Sequence, residues 1–159
     1  NFFQSNIVQA ERLFTQIVGQ VQAHEKVLDV FCGVGALTLP LAREGLFVHG
    51  VELVPESIEQ AQGNANLNGI GNVEFLAGNA RKILKENAFE ADLVCLDPPR
   101  AGADKKTVER IASTGAKRVF YVSCNPKTLQ RDLNWFEEAG MILKNLQGFD
   151  FFPNTKHLR

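Results

Sequence analysis

Val27-Leu28-Asp29-Val30-Phe31-Cys32-Gly33-Val34-Gly35-Ala36-Leu37-Thr38 decides the fold. It reads as a strand, a glycine loop and the start of a helix. Glycines at 33 and 35 let the backbone approach a ligand closely. Their spacing is G-x-G, without the third glycine of the dinucleotide fingerprint, so a nicotinamide cofactor is a weak reading. The next apolar run ends at Glu52. A carboxylate there suits a ribose, because it can accept a hydrogen bond from each of two hydroxyls. Nothing resembles a lysine-bearing phosphate loop. A nucleoside with a small charged tail therefore fits better than a triphosphate.

Outward from that stretch, short apolar runs alternate with helical spacing. The runs are Lys26–Phe31, Phe47–Val51, Val73–Phe75, Leu93–Leu96, Arg118–Val122 and Met141–Leu146. The spacing predicts helices over Ile7–Val21, Leu37–Glu44, Pro55–Asn68, Ala80–Lys85, Lys105–Ser113 and Pro126–Ala139. Gly45, Gly69, Gly115 and Gly140 stand where helices should stop, each free to adopt the left-handed conformation of a C-cap. Strand-helix alternation of this kind predicts an α/β domain with a Rossmann-like, doubly wound, mostly parallel sheet. A seventh strand is expected to begin about where the chain ends, so the sheet should lack its last strand.

The bulk numbers narrow the class. With 159 residues, one domain is expected. No apolar run approaches the roughly 20 residues that a membrane helix requires. The start, Asn1-Phe2-Phe3-Gln4, has neither the basic head nor the apolar core of a signal peptide. It also lacks an initiator Met, which suggests a chain cut from a longer protein. Three cysteines, 32, 95 and 124, form neither a C-x-x-C pair nor a zinc spacing. No metal is expected, and unpaired cysteines point to a reducing cytoplasm. With 17 Lys and Arg against 18 Asp and Glu, the net charge is −1. That is not the basic footprint of a self-sufficient nucleic-acid binder.

The glycine loop followed by an acid after the second strand resembles class I S-adenosylmethionine-dependent methyltransferases. The resemblance implies that Phe31 and Ala36 border the cofactor, that Glu52 holds its ribose and that Asn79 contacts its adenine. Asn79 reads equally well as a helix N-cap. The fourth run leads into Asp97-Pro98-Pro99-Arg100, where two prolines fix a rigid lip at the carboxyl edge of the sheet. This is similar to the [DN]-P-P-[YFW] signature of amino-group methyltransferases. Those enzymes stack the target base on an aromatic residue where this chain has Arg100, which disfavours them.

Cys124 sits between the fifth run and a helix, in Ser123-Cys124-Asn125-Pro126. The positive end of a helix favours a thiolate over a thiol. Carbon 5 of uracil is a poor nucleophile toward a sulfonium methyl group. Addition of a thiolate at carbon 6 makes carbon 5 enolate-like, and a base must then remove the carbon 5 proton so that the cysteine can leave. Cys32 and Cys95 read as small buried residues.

The motifs in order are Phe3-Gln4-x-Asn6, Asp29–Gly35, Asp97-Pro98-Pro99-Arg100-Ala101-Gly102, Val122-Ser123-Cys124-Asn125-Pro126-x-Thr128-Leu129-x-Arg131-Asp132 and Phe152-Pro153-x-Thr155-x-His157-Leu158. Together they resemble the RNA (uracil-5-)methyltransferase family, with wording nearer the 23S ribosomal-RNA branch than the transfer-RNA branch. The resemblance implies S-adenosyl-L-methionine as cofactor and Cys124 as nucleophile. It implies Gln4, Phe31, Ala36, Glu52, Asn79 and Asp97 along the cofactor and active-site cleft. It also implies an RNA substrate, ribosomal RNA before transfer RNA, gripped partly by N-terminal RNA-binding domains that residues 1–159, a catalytic domain, do not include. At the position of the family's general-base Glu stands Arg159, which is always protonated and cannot take a proton; either the base has been replaced, or the family's residue lies past residue 159 and Arg159 is not its counterpart. Cofactor binding with little turnover is therefore expected of this chain. The rival readings are a methyltransferase acting on cytosine or on an amino group, a non-enzymatic cofactor- or RNA-binding module and, distantly, an NAD-dependent oxidoreductase.

Overall fold

A computed structural model describes residues 7–150. Eleven elements alternate: α1 (Ile7–Val18), β1 (Lys26–Val30), α2 (Thr38–Glu44), β2 (Phe47–Glu52), α3 (Pro55–Leu67), β3 (Val73–Ala77), α4 (Ala80–Glu86), β4 (Leu93–Leu96), α5 (Lys105–Ala112), β5 (Arg118–Tyr121) and α6 (Pro126–Glu138). The strands form one sheet in the order β3-β2-β1-β4-β5, and every pairing is parallel. A parallel pair needs a crossover, and crossovers are right-handed. The order reverses direction after β3, so the later helices return over the opposite face from α2 and α3. Two apolar clusters record that winding. One packs Leu28, Val30, Val94 and Leu96 against Leu84, Val108, Ile111 and Phe136 of α4, α5 and α6. The other packs Val27, Val48, Leu93 and Cys95 against Ile17, Leu41 and Ala42 of α1 and α2. Val27 and Leu28 fall in different clusters because successive residues of a strand face opposite ways.

The predicted doubly wound parallel sheet is thus observed, with element bounds close to those read from periodicity. Two local expectations are corrected. Met141–Leu146 forms no strand: no described strand pairs with it, and Ile142, Leu143 and Leu146 stand exposed. Apolar composition alone does not hold an extended segment; a ladder partner must satisfy its backbone. Gly45 is not left-handed, with φ −87°. Its backbone N–H donates to the Leu41 carbonyl, and a Cβ there would stand 3.2 Å from the carbonyl oxygens of Glu25 and Leu41. Close packing, not φ, explains the glycine. Gly69, Gly115 and Gly140 are left-handed as expected.

The amino edge of the sheet is fastened separately. Arg118 of β5 donates to both carboxylate oxygens of the buried Glu25, at 2.7 and 2.6 Å, and to the Gln20 carbonyl at 2.9 Å. Both carboxylate contacts come from Nη2 while Nη1 reaches the Gln20 carbonyl, and charge-assisted hydrogen bonds of this kind are stronger than neutral ones.

Phe75 occupies a slot made by two glycines. A Cβ at Gly50 would fall 2.7 Å from its ring, and one at Gly35 would fall 3.4 Å from it. Gly50→Val should therefore lower the unfolding free energy by about 1–3 kcal/mol through overpacking. Urea denaturation of the variant measures this directly; an unchanged midpoint would contradict the slot.

Candidate active site at the carboxyl edge of the sheet

The registers bring the carboxyl ends of the strands into one row. Leu96 is opposite Tyr121 and Val30, Val30 is opposite Val51, and Glu52 is opposite Ala77. One residue further along, Phe31, Asp97 and Val122 follow on adjacent strands beside Glu52. At about 4.8 Å per strand, the row spans roughly 19 Å from β3 to β5. It lies at the point where strand order reverses, the usual ligand crevice of open α/β sheets.

The glycine loop crosses this edge in an unusual backbone. Phe31 has φ +68°, and Gly33 and Gly35 have φ +55° and +83°. A left-handed non-glycine residue costs about 1–2 kcal/mol. The N–H groups of Phe31 and Cys32 both donate to the Val51 carbonyl, at 2.8 and 3.1 Å, which holds the turn against that strain. Phe31 itself packs on the core cluster beneath α4 and α5. Glu52 accepts from the N–H of Gly33 at 3.1 Å through one oxygen and from the N–H of Val54 at 3.1 Å through the other. Its carboxylate is thereby aimed across the loop mouth, half-buried, with lone pairs left over. A Cβ at Gly33 would meet nothing within 4 Å, so the space beside the loop is open. Ala36 is exposed at the loop's far end.

Asn79 caps α4, its side chain accepting from the Lys82 N–H. Asn79 is exposed at the same edge. Asp97 is half-buried at the end of β4, its N–H 3.4 Å from the Val30 carbonyl. Cys124 lies in the turn between β5 and α6. Ser123 Oγ accepts from the Asn125 N–H at 3.1 Å and donates to the Asn125 carbonyl at 3.2 Å, and Asn125 caps the helix by accepting from the Lys127 N–H. Burial pushes the thiols of Cys32 and Cys95 far up. Cys124 is the partly exposed cysteine of the three. Phe31, Glu52, Asn79, Asp97 and Cys124 therefore share one edge. Gln4 and Arg159 lie outside the described residues, as do the motifs around them. No cluster of three metal-ligating side chains occurs among the described residues.

Two arrangements escaped the sequence reading. The first is a latch around Asp132, whose carboxylate on α6 is fully buried. It accepts from the Tyr121 hydroxyl, from the Ala103 N–H at 2.8 Å and from Arg131 Nε at 2.8 Å. Arg131 also donates to the carbonyls of Ala101 and Ala103, at 2.8 and 3.1 Å. Asn125 Nδ2 and Thr128 Oγ1 donate to the Arg100 carbonyl, at 3.0 and 3.3 Å. The loop carrying Asp97 through Ala103 is thus clamped to the segment carrying Cys124. The second is Asp29, buried within β1, where it accepts a 2.6 Å hydrogen bond from Thr38 of α2. Desolvation, only partly offset by the Thr38 hydroxyl, raises its pKa to about 7, with Asp97 and Glu52 adding repulsion. An acid in the middle of Val27-Leu28-Asp29-Val30 was the available signal.

Both arrangements can be tested. A raised carboxyl pKa means the folded state holds more protons than the unfolded state between about pH 4 and 7, so stability should fall as pH rises through that window and level off above it. Asn at position 29 keeps the acceptor for Thr38 and removes the titration. Asp29→Asn should flatten the fall, a difference of up to about 4 kcal/mol between the ends of the window; parallel pH profiles for variant and wild type would refute the assignment. At Gly102, φ is +77° and a Cβ would fall 2.5 Å from Asp132 and 2.7 Å from Arg131. Gly102→Ala should lower stability by about 1–3 kcal/mol and expose the latch amides to hydrogen exchange. Unaltered protection of Ala103 would count against the latch.

Comparison with known proteins gives the family of the chain. The family described as tRNA (Uracil-5-)-methyltransferase matches residues 1–159. A protein of Oceanobacillus iheyensis described as an uncharacterized RNA methyltransferase is 41% identical over 163 residues, covering 99% of this chain and 36% of its own length. A similar relative from Caldanaerobacter subterraneus is also 41% identical, with the same coverage. Among solved structures, the tRNA (uracil-54, C5)-methyltransferase of Pyrococcus abyssi in complex with S-adenosyl-L-homocysteine superposes with a TM-score of 0.87 and 32% identity, covering 99% of this chain and 38% of that one. The chain spans little more than a third of these relatives. Its match to the family runs over the whole of residues 1–159, and the chain belongs to the tRNA (uracil-5-)methyltransferase family.

Proposed function

We propose that this chain is the catalytic domain of an enzyme that methylates carbon 5 of a uracil in RNA, using S-adenosyl-L-methionine, with Cys124 as covalent nucleophile. The observation that carries the reading is the partly exposed Cys124, held by the latch on the same sheet edge as the glycine loop and Glu52. When bound, the cofactor supplies an electrophilic methyl group on a sulfonium. The cradle fits it: Glu52 offers the remaining lone pairs of an oriented carboxylate to a ribose diol, and Gly33 leaves room beside the loop, while Phe31 and Ala36 are carried as cofactor contacts from the motif. Asn79 keeps its amide NH2 for an adenine nitrogen while its oxygen caps α4. Gln4 is carried as a cofactor contact from the motif alone.

On this reading the Cys124 thiolate adds to carbon 6 of the uracil, forming a C–S bond and shifting the double-bond electrons toward carbon 5 and the carbon 4 carbonyl. Asp97, at the mouth of β4, is carried as a cleft residue from the motif, on the same edge as the cofactor cradle and Cys124. After methylation the carbon 5 proton must leave to a base, and the C–S bond then breaks. The guanidinium of Arg159 cannot be that base, so the 159-residue chain alone should bind cofactor and stall as an adduct. RNA grip is assigned partly to domains outside this chain, since its net charge is −1.

Motif wording favours ribosomal RNA as the target. The Pyrococcus relative's action on tRNA uracil 54 favours transfer RNA as the second reading. Methylating each RNA in vitro with the intact protein separates them.

RNA containing 5-fluorouridine, whose fluorine cannot leave as a proton does, should trap wild-type protein as a denaturation-stable adduct. Cys124→Ser should form none and, made in the intact protein, should lose 5-methyluridine synthesis by at least about a thousandfold, as nucleophile removal does elsewhere. Its thermal shift with S-adenosylhomocysteine should be retained, about 2.7 kcal/mol at 100 times the dissociation constant. Methylation by the serine variant at the wild-type rate would overturn the covalent route.

A further inference from the structure

A groove between α4 and α5 is walled by five cations: Arg81, Lys82 and Lys85 on one helix, Lys106 and Arg110 on the other. Glu109 is the one acid in its lining, and the groove encloses about 530 Å³. Subtracting that acid leaves +4, while the whole chain carries −1, so the remainder of the chain carries −5. All five cations are exposed. Lys82 pairs loosely with Glu86 at 3.9 Å, and no other carboxylate meets these five side chains among the described residues. The neighbouring Lys105 is neutralised by Glu138 at 2.7 Å on the α6 side.

This clustering is not what stability would select. Arg81 and Lys85, and Lys106 and Arg110, are like charges at i,i+4, which destabilise a helix by a few tenths of a kcal/mol per pair. The opposite faces of both helices are fixed in the core through Leu84, Val108 and Ile111, so the cations cannot turn away. A cationic cleft in an otherwise acidic surface focuses field lines and draws anions. The groove reaches Asn79 at its upper end, and so opens onto the sheet edge that carries Glu52 and Cys124.

We propose that the α4–α5 groove binds the phosphodiester backbone of the substrate RNA, a phosphate contact apart from the reacting base. The proposal rests on the RNA reading above. Packed helix axes lie about 8–10 Å apart, and cations line the groove from both helices, so a single strand can run between them and be gripped from both sides. Lys and Arg here carry no base information; they set the register of the strand and the salt dependence of binding.

The test uses the intact protein and a fluorescein-labelled 12-nucleotide oligouridylate, followed by anisotropy from 50 to 300 mM KCl. Arg81→Glu, Lys85→Glu and Arg110→Glu are combined in one variant. A second variant, Arg12→Glu, Arg43→Glu and Lys117→Glu, carries the same change in net charge on other faces. The groove variant should weaken binding at least tenfold at 100 mM KCl and flatten the slope of log K against log[KCl] by about 2, as expected for three lost phosphate contacts on a single strand. The other variant should retain most of both. S-adenosylhomocysteine melting shifts should be equal in all three proteins, which reports folding. Equal losses in the two variants, an unchanged slope, or displacement of the oligouridylate by micromolar inorganic phosphate would each overturn the proposal, the last by showing a small-anion site. Because the readout is binding alone, it separates from the catalytic reading. If Cys124→Ser still methylates while the groove variant loses RNA, the nucleophile falls and the groove stands.

Discussion

All five strands of the sheet run the same way, and that single constraint places every chemically able residue. A parallel ladder cannot be closed by a tight turn, so each strand must be followed by a helix that returns over a face. Each strand therefore ends at the same edge, and each strand-to-helix turn emerges there. The glycine loop, Glu52, the proline lip and the cysteine turn are far apart in the chain and lie within a row of adjacent strand ends. The burial that holds the row comes from below it: two apolar clusters, one per face, interleaved through alternate residues of β1 and β4.

The latch shows how two loops become one site. A carboxylate taken wholly out of water is costly unless its lone pairs are filled. Asp132 fills them with the Tyr121 hydroxyl, a backbone N–H and a guanidinium. Having been satisfied there, the carboxylate fixes the loop that supplies the N–H, and Arg131 and Asn125 add further hydrogen bonds to that loop's carbonyls. The proline lip at Asp97 is thereby set against the turn at Cys124 by hydrogen bonds, with Gly102 required because no side chain fits between them.

Electrostatics divides the same molecule by burial. Two thiols and one carboxyl, Cys32, Cys95 and Asp29, lie where desolvation favours their neutral forms. Glu52 and Cys124 lie where solvent or ligands can reach them. Positive charge is gathered on one groove while the chain as a whole is slightly acidic, a distribution that matters for where an anionic strand first touches and little for the fold.

The sequence by itself determined the strand-helix alternation, the parallel sheet and the glycine loop with its acid, and it set Cys124 at the turn between a strand and a helix. These follow from local signals: periodicity of 2 or 3.6, a glycine pair at a strand end, a proline pair, and a cysteine before a helix cap. Tertiary structure decided what depends on partners distant in the chain. The left-handed φ of Phe31 is sustained by the carbonyl of Val51. The close packing at Gly45 comes from Glu25. Arg131 and Asp132 stand in a motif whose residues were legible, yet their latch role appears only when the loop at 97–103 folds against them. Met141–Leu146 carries the composition of a strand and pairs with no strand among the described residues, because a strand exists only where a neighbour satisfies its backbone. The cations of α4 and α5 lie on separate helices, and they line one groove only because the fold sets those helices side by side.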